Sequence, residues 1–486
     1  AEQLTMVSLE EQQLRNGFEK VFMGAAGSAG GGGLDITDLF STYLYAGDGT
    51  NGRQINNGID LSGEGGMVWF KARTTGQNHR MFDTERGSDY SMTPNATSRQ
   101  SDHGSTGLNS FDNDGFTLGA AVANGSGIYG GDYASWTWRK APKYFDIVTY
   151  TGSGSAKTVA HSLGSAPGMI IIKNRDVTDP WAVYHRANTA APQTDYLVLN
   201  TTAATVDSAA WWNDTAPTSS VFTVGTDHSV NANGENYVAY LFAHNDGDGG
   251  FGPDGDQDII KCGSYTGNGS SSGLEIDLGF EPQWVLVKAA TGAAYDWFIW
   301  DTMRGMDVNR SGPWLRPNLA NGEGSNTGLA LGVTSTGFNA GNDTNTNGNG
   351  ETYIYMAIRR GPLAVPEAAT EVFAVSTPST PVFVSGFAVD MVIDTLKISQ
   401  GNHISARITG DEYMVTNDDN AGGGRDFNFF DDNGGLDLGT NWYGTNQAGS
   451  IAWMWKRAPS FFDVVCYTGT GANRTISHNL NAAPDM

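Results

Sequence analysis

The feature that most constrains this chain is a stretch that it contains twice. The residues SWTWRKAPKYFDIVTYTGSG, 135–154, return 317 positions later as AWMWKRAPSFFDVVCYTGTG, 452–471. In each copy two tryptophans alternate as they would on one face of a strand, Ala-Pro ends that strand, and Tyr-Thr-Gly opens a turn. A match this long is not due to chance. The stretch is either a site used twice or a joint between repeated building blocks, and its order of elements favours the joint.

Matching motifs recur between the joints. The segments YTGSG, PGMIIIK and NGENYVAYLF within 150–242 correspond to YTGNG, EPQWVLVK and NGETYIYMAI within 265–358. The predicted divisions are repeat 1, 39–146; repeat 2, 147–262; repeat 3, 263–366; a divergent repeat 4, 367–462; and the start of an incomplete repeat 5, 463–486. Because APDM at the end matches APGM before a buried strand, we expect the natural chain to continue.

The composition favours short strands. Glycine accounts for 65 of 486 residues, aromatic residues for 11% and charged residues for only 16%, which is typical of strands joined by tight turns. Short apolar runs alternate with Gly and Asn clusters, as in antiparallel sheets. We predict a mainly β protein, built from tandem, antiparallel, sandwich-like repeats of roughly 100 residues that follow one short N-terminal helix.

The first 24 residues follow a different pattern. Ser8 and Glu11 form a capping box, and apolar residues then recur at helical spacing. One short helix is marginal in water, so its apolar face needs a partner, either repeat 1, further copies of the helix or another protein. The predicted docking residues are Leu9, Leu14, Phe18, Val21 and Phe22. A glycine-rich tether, 25–38, follows the helix.

The net charge of −24 limits the partners of the chain. An acidic surface repels phosphate backbones, so nucleic acid is not expected as a partner. No apolar run approaches the roughly 18 residues that span a bilayer, and the N-terminus lacks a signal-peptide pattern. Membrane insertion is therefore not expected either.

Two copies of an Asp-Thr-x-Arg-Gly motif are the sharpest polar signal. They are DTERG at 83–87 and DTMRG at 301–305. An Asp three residues before an Arg can close a turn through a charge-assisted pair, or it can bind a sugar hydroxyl. Repeat 2 has His185 in place of the Asp, and a ligand contact would not usually survive that exchange. A structural turn is the favoured interpretation, with a ligand contact as the alternative.

An acidic loop between repeats 2 and 3 is a candidate calcium site. It is rich in oxygen ligands and bent by glycines, but it lacks the closing glutamate and flanking helices of an EF-hand. A solvated turn is the alternative, and no other cofactor is expected. The candidate ligands are Asp246, Asp248, Asp254, Asp256 and Asp258.

Aromatic residues in polar stretches are candidate glycan contacts, namely Trp212, Trp442 and Tyr443. The alternative is that they fill the cores of small β units. The chain has no nucleophile elbow, phosphate loop or zinc-spaced Cys/His set, and we do not expect an enzyme.

The motif string YTGNG, LGFEPQWVLVK, FIWDTMRG and NGETYIYMAI resembles a repeated β domain of unknown function in tail-fibre and other structural proteins of tailed phages, especially phages of marine cyanobacteria. The resemblance covers about residues 39–486, and none of its motifs is diagnostic alone. It implies a tail protein of the virion, made in the bacterial cytoplasm. It also implies a homotrimer whose N-terminus binds adaptor-type or nozzle-type tail proteins and whose distal part meets a host surface glycan.

The expected function is therefore the tail-attached, proximal part of a tail fibre involved in host attachment, with the repeats forming a rod-like spacer. A carbohydrate-binding adhesin that uses exposed aromatic residues is the alternative. A polysaccharide depolymerase is less favoured, because an active site is usually built once and this chain repeats one plan.

Overall fold

The computed structural model describes residues 33–125, 131–292, 294–326, 328–377, 382–395, 402–410, 412–416, 423–424, 429–437 and 450–485. In these residues the chain is mainly β, and its paired strands are antiparallel, as predicted. No helix in the described ranges is both long and apolar enough to span a bilayer. The predicted helix, 1–24, and most of the tether lie outside these ranges.

The strands form four consecutive sets, which we call units 1 to 4. Unit 1 contains β1 (Phe40–Ala46), β2 (Arg53–Asn56), β3 (Gly66–Ala72), β4 (Arg80–Asp83), β5 (Tyr90–Ser91), β6 (Ser101–Asp102), β7 (Leu108–Asp112), β8 (Gly115–Leu118) and β9 (Asp132–Arg139). Unit 2 contains β10 (Phe145–Thr151), β11 (Lys157–Ala160), β12 (Met169–Asn174), β13 (Ala182–His185), β14 (Asp195–Val198), β15 (Val206–Asp207), β16 (Val221–Val224) and β17 (Asn236–Phe242).

Units 3 and 4 follow the same plan. Unit 3 contains β18 (Ile260–Thr266), β19 (Leu274–Asp277), β20 (Pro282–Ala289), β21 (Trp297–Asp301), β22 (Gly332–Thr334), β23 (Gly337–Ala340) and β24 (Thr352–Arg359). Unit 4 contains β25 (Phe373–Ser376), β26 (Val382–Val384), β27 (Met391–Thr395), β28 (His403–Ala406), β29 (Glu412–Val415), β30 (Gly423–Gly424), β31 (Gly435–Asp437) and β32 (Ile451–Trp455).

Single-turn helices lie between the strands. The α-helical turns are α1 (Leu61–Glu64), α2 (Ala209–Trp212), α3 (His228–Asn231) and α4 (Thr344–Asn347), and the 3-10 turns are Ile36–Asp38, Gly104–Thr106, Pro192–Thr194, Ala369–Glu371 and Arg407–Thr409. An aspartate side chain caps α1, α3 and α4 by accepting a backbone N–H of the first turn. The residues so placed are Asp60, Asp227 and Asp343.

One strand order recurs in the large sheet of every unit. The last strand lies between the first and the third, and the fourth flanks the third, as in β1-β9-β3-β4 and β18-β24-β20-β21. The predicted boundaries at 146/147 and 262/263 fall inside β10 and β18, so units 2 and 3 begin slightly earlier than predicted. Residues 463–485, the predicted start of repeat 5, form no strand.

The Tyr-Thr-Gly motif has a packing explanation. Tyr150 stacks on Tyr237 across β10 and β17, with ring centroids 5.1 Å apart, and Tyr265 stacks on Tyr353 in unit 3 at 5.2 Å. The glycine two residues later must lack a side chain, because a Cβ on Gly152 would overlap the carbonyl oxygen of Ala232. The motif therefore fits the first strand of a unit against the loop that precedes its last strand.

Each large sheet of units 1 to 3 buries both of its faces. In β3 the side chains of Val68 and Phe70 pack towards the small sheet of unit 1, whereas Met67 and Trp69 belong to a core that contains residues of units 1, 2 and 3. We call this second face, which is turned to the other units, the shared face. Strands with apolar residues on both faces are typical of sheets covered on both sides.

At the end of each shared face three residues lie side by side in the strand register. In unit 1 they are Phe40, Trp138 and Met67. The equivalent trios are Phe145, Phe242 and Met169 in unit 2, Ile260, Ile358 and Trp284 in unit 3, and Phe373, Trp455 and Met391 in unit 4. The first three trios are buried in one cluster, whereas the fourth is only half-buried.

Trp138 lies at the centre of the common cluster. Its ring contacts Phe145 and Phe242 of unit 2, with centroids 6.5 and 6.1 Å away, and Trp284 of unit 3 at 5.6 Å. Unit 1 thus contacts units 2 and 3 directly. The predicted rod is wrong for units 1 to 3, because units in a rod contact only their neighbours in sequence.

We expect Trp138→Ala to lower the free energy of unfolding by about 3–5 kcal/mol, because it opens a cavity where three units meet. The matched change at the other copy of the repeated stretch, Trp455→Ala, should cost only about 1 kcal/mol, because Trp455 is half-buried. Urea unfolding followed by tryptophan fluorescence measures both. Equal losses would show that the common cluster does not hold the units together.

Candidate functional site: the joints between units

The first Asp-Thr-x-Arg-Gly motif forms a buried joint between units 1 and 2. The Arg86 Nε lies 2.6 Å from Oδ2 of Asp83, and both side chains are excluded from solvent. The Tyr240 hydroxyl on β17 of unit 2 donates to the same oxygen at 2.7 Å. Burial alone would lower the pKa of the Arg86 guanidinium, but Asp83 outweighs it and raises that pKa. The motif is therefore structural, as the sequence favoured, and it reaches into the next unit.

The second motif forms the corresponding joint between units 3 and 1. The Arg304 Nε lies 2.6 Å from Oδ2 of Asp301, and the indole N–H of Trp136 on β9 donates to that oxygen at 2.9 Å. The guanidinium of Arg304 also lies over the Trp136 ring, 5.4 Å from its centroid. Trp136, the first tryptophan of the repeated stretch, is thus the partner of an aspartate from 165 residues away.

His185 joins units 2 and 3 from the same position. Its Nε2 lies 3.0 Å from the carbonyl oxygen of Tyr355 in β24, and its Nδ1 accepts the backbone N–H of Ala187 at 3.2 Å. Only the neutral ring with its proton on Nε2 satisfies both contacts. Burial lowers the pKa of His185 to about 3. The three equivalent positions therefore close a cycle in which unit 1 contacts unit 2, unit 2 contacts unit 3 and unit 3 contacts unit 1.

A further neutral histidine, His79, lies between units 1 and 3. Its Nδ1 accepts the indole N–H of Trp69 at 3.0 Å, and its Nε2 lies 3.0 Å from the carbonyl oxygen of Arg316. Burial lowers the pKa of His79 well below its usual value. Protonation would place a second N–H against the indole donor, so this contact also requires the neutral ring.

In the sequence, these contacts can be suspected only when the repeats are aligned with one another. Polar residues stand at the end of the fourth strand in three units, where an apolar residue would be expected. That pattern indicates a shared role, but the partners Tyr240, Trp136 and Tyr355 come from other units and cannot be read from it.

Comparison with known proteins agrees with this three-unit body. A family model described as "Domain of unknown function (DUF7483)" matches residues 35–362, about two thirds of the chain, which spans units 1 to 3. The chain belongs to the DUF7483 family. No curated protein matches it. A solved structure described as "Crystal Structure of the STIV MCP" is 8% identical over 45% of this chain and 87% of that chain, at a TM-score of 0.15, which supports no inference about fold or function.

Unit 4 lies beyond the DUF7483 match and docks on units 1 and 3 through ion pairs. Arg457 of the repeated stretch holds Glu281 of unit 3 with both terminal nitrogens, at 2.6 and 3.0 Å. Arg73 of unit 1 lies 2.8 Å from Oδ2 of Asp431. The basic residue before Ala-Pro therefore attaches the second copy of the stretch to the DUF7483 region.

Three equivalent lysines are buried in the DUF7483 units, namely Lys71, Lys173 and Lys288. Each ammonium donates to a backbone carbonyl at the end of its own strand or in the loop that follows, for example Lys173 to Asn174 at 2.8 Å. Burial lowers the pKa of each to about 8. These lysines brace the loops beside the last strands, and their donors face protein carbonyls.

The five predicted calcium ligands do not converge. The Asp258 carboxylate accepts the backbone N–H groups of Gly247 and Gly249, at 2.8 and 3.1 Å, and so organises the loop itself. Asp246 and Asp248 are exposed, as are Asp254 and Asp256. In the described part of the chain no three His, Cys, Asp or Glu side chains are arranged to hold a metal ion. Calcium binding stays a prediction without geometric support.

The predicted exposure of Trp212 is wrong. Its side chain is 2% exposed, and its indole N–H donates to the carbonyl oxygen of Asp195 at 3.0 Å. Tyr184 packs edge-on against the same ring at 5.9 Å. A ring enclosed in this way cannot offer a face to a sugar. Trp442 and Tyr443 lie outside the described residues, as do the predicted docking residues Leu9, Leu14, Phe18, Val21 and Phe22.

A cleft of about 430 Å³ with a mixed polar and apolar lining opens in unit 1 beside the last strand. Among its lining residues are Lys71, Gln77, Asn78, Arg80 and Tyr133. Arg80 donates to the hydroxyl of Thr93 at 2.6 Å, and burial lowers its pKa. The Lys71 ammonium is engaged with backbone carbonyls, so the polar side chains that the cleft offers are those of Gln77, Asn78 and Arg80.

We expect Arg86→Met to lower the free energy of unfolding by about 3–5 kcal/mol, because it leaves the buried Asp83 carboxylate without its counter-charge. The matched variant Tyr240→Phe removes only the hydrogen bond from unit 2 and should cost about 1.5 kcal/mol. Urea unfolding measures both changes. If Arg86→Met were as mild as Tyr240→Phe, the buried pair would not stabilise the joint.

We expect the neutral His185 to make the fold sensitive to acid. Its pKa is about 3 in the folded chain and near 6.5 when unfolded, so between these values the unfolded state binds the extra proton. The contribution of His185 to the free energy of unfolding is fully present above pH 6.5. It falls as the pH decreases, by at most about 1.4 kcal/mol per pH unit. His185→Gln should reduce that slope between pH 4.5 and 6.5, measured by urea unfolding, whereas the exposed His478→Gln should leave it unchanged. An unaltered slope in His185→Gln would contradict the assignment.

Proposed function

We propose that the chain is a structural virion protein, the tail-attached, proximal part of a phage tail fibre that takes part in host attachment. The proposal extends to its location in the virion tail and to tail proteins as partners of its N-terminal segment. It rests on the joints and on the resemblance of the repeated motifs to tail-fibre proteins.

The observation that carries the proposal is that both Asp-Thr-x-Arg-Gly motifs are buried and join neighbouring units. Asp83, Arg86, Asp301 and Arg304 are buried and are engaged with one another and with a neighbouring unit. Together with the neutral His185 at the third joint, these pairs fix the order of three β units in a cycle. A body stabilised in this way suits a part that transmits force or fixes geometry in a particle.

The arrangement of the units differs from the rod-like spacer that the sequence predicted. Units 1 to 3 form one closed body, and unit 4 attaches to its side through Arg457 and Glu281. The chain is thus a block carrying a further unit, and in a fibre it would serve as a rigid proximal knob. The adhesin alternative loses Trp212 as a contact, and we do not propose it.

The proposal predicts that the protein is present in mature particles, at the tail. We would purify particles of the phage that encodes the chain, identify the protein by mass spectrometry, and label the particles with antibodies against residues 1–486. We expect the chain in the particle and label confined to the tail, with antibodies against the major capsid protein as the control. Its absence from particles, or label on the capsid, would overturn the proposal.

A further inference from the structure

The two copies of the repeated stretch continue into segments of the same local structure. We call 143–164, which opens unit 2, the first segment and 460–481, which follows unit 4, the second segment. The backbone has a positive φ at three equivalent positions, with values of 61°, 70° and 71° in the first segment and 57°, 71° and 53° in the second. These residues are Lys143, Gly154 and Gly164, and Ser460, Gly471 and Asn481. The second segment therefore makes the turns with which a unit begins.

The hydrogen bonds within the two segments also correspond. The Asp463 carboxylate accepts two backbone N–H groups, at 3.0 and 2.8 Å, as Asp146 accepts the equivalent two at 2.9 and 2.7 Å. Arg474 donates to the carbonyl oxygen of Thr468 at 2.7 Å, and Lys157 makes the equivalent bond in the first segment at 2.8 Å. The second segment thus has its local fold without a sheet around it.

The first segment has partners that no described residue supplies to the second. In unit 2, β10 pairs along its whole length with β17, the last strand, and Tyr150 stacks on Tyr237. The equivalent Tyr467 is 64% exposed, and within the described part of the chain residues 463–468 pair with no strand. The second segment therefore offers a backbone edge and a tyrosine whose equivalents in unit 2 are covered by a last strand.

The glycine of the Tyr-Thr-Gly motif shows the same difference. A Cβ on Gly152 would overlap the carbonyl oxygen of Ala232, and one on Gly267 would overlap that of Gly348. Both carbonyls belong to the loop that precedes a last strand. At Gly469 no described atom beyond its chain neighbours lies within 4 Å of the Cβ position. The second segment thus keeps the glycine that fits a last strand, and the space beside it is open.

The opposite face of the second segment is attached to the body. Val464 and Cys466 pack against the core of unit 3. Oδ1 of Asp463 lies 3.7 Å from Nη2 of Arg360 in unit 3 and 3.6 Å from Nη1 of Arg457. A segment held in this way loses little conformational freedom when a ligand binds to its edge, which favours binding.

We propose that the second segment is an acceptor for one β-strand. Its ligand is an extended peptide segment with the last-strand pattern of units 2 and 3, Asn-Gly-Glu-x-Tyr followed by an apolar run. Binding by strand addition takes its affinity from main-chain hydrogen bonds and its specificity from alternate side chains. The strands β17 and β24 are central in their own sheets, so the ligand comes from a further unit of the same plan. The inference does not depend on the tail-fibre proposal, because it follows from the equivalence of the two segments.

Binding of a synthetic peptide to the full chain tests the proposal. The probe is fluorescein-labelled NGNGETYIYMAIR, the sequence of residues 347–359, and fluorescence anisotropy measures its affinity. We expect saturable binding at a single site and slower amide hydrogen exchange at 463–469 in the complex, because these backbone groups become paired. A peptide with the same composition in permuted order is the control and should not bind. No saturable binding, or no added protection at 463–469, would overturn the proposal.

Two variants locate the bound peptide. Gly469→Ala fills the space that a carbonyl of the ligand requires and should weaken binding about tenfold or more, although the free chain has room for the added methyl group. Tyr467→Ala removes the stacking partner and should weaken binding about fivefold. The matched control is Gly76→Ala, at an exposed glycine whose nearest described neighbour lies 3.9 Å from the Cβ position, and it should bind as the wild type does. Unchanged binding in both Gly469→Ala and Tyr467→Ala would overturn the assignment, because the peptide would then lie on another surface.

Discussion

Units 1 to 3 fold as one body because each large sheet carries apolar residues on both faces and its own small sheet covers only one. The second face must be buried elsewhere, and the three units bury it against one another. A fully buried aromatic side chain such as Trp138 removes roughly 150–250 Å² from water, worth about 4–6 kcal/mol at 25 cal/mol per Å². The hydrogen bonds of the joints contribute about 1–3 kcal/mol each, the larger values applying to the two that end on carboxylates. Apolar burial thus holds the body together.

The polar contacts of the joints determine which unit lies beside which. An apolar core alone would accept several arrangements of three similar units, because its contacts are not directional. Asp83 accepts a hydrogen bond from Tyr240, and Asp301 accepts one from Trp136. With a different unit as neighbour, each buried carboxylate would lose this donor and keep only the donors of its own arginine. His185 serves the remaining joint as a neutral ring, which avoids a buried charge at the price of sensitivity to acid. The body is therefore specified by polar contacts and stabilised by apolar ones.

In unit 4 the face equivalent to the shared face is only partly covered, because Met391 packs against the core of unit 3 and Trp455 contacts Phe462. Unit 4 keeps its own core around Phe383 and Met454, so one unit is able to organise its inner face alone. Its docking to the body combines the ion pairs of Arg457 and Arg73 with apolar contacts, because Ala406 and Ile408 are buried in the core of unit 3 and Met391 packs against it. The DUF7483 match ends where unit 3 ends, in agreement with three units as the natural body and with unit 4 as a separate element.

The sequence by itself determined the mainly β fold, the alternation of side chains and the places where one unit runs into the next. The first of these follows from local preferences, and Gly152 and the tyrosine pairs show how far such preferences specify a turn. The sequence also indicated a structural role for Asp83, His185 and Asp301, since the exchange of His for Asp within one chain was visible. It could not exclude an exposed Trp212, because a polar stretch gives no sign of what packs over it. Only the tertiary structure decided which unit covers which. Trp138 and Trp455 have nearly the same neighbours in sequence, yet one is enclosed and the other half-open, because the residues that enclose Trp138 arrive from units 2 and 3.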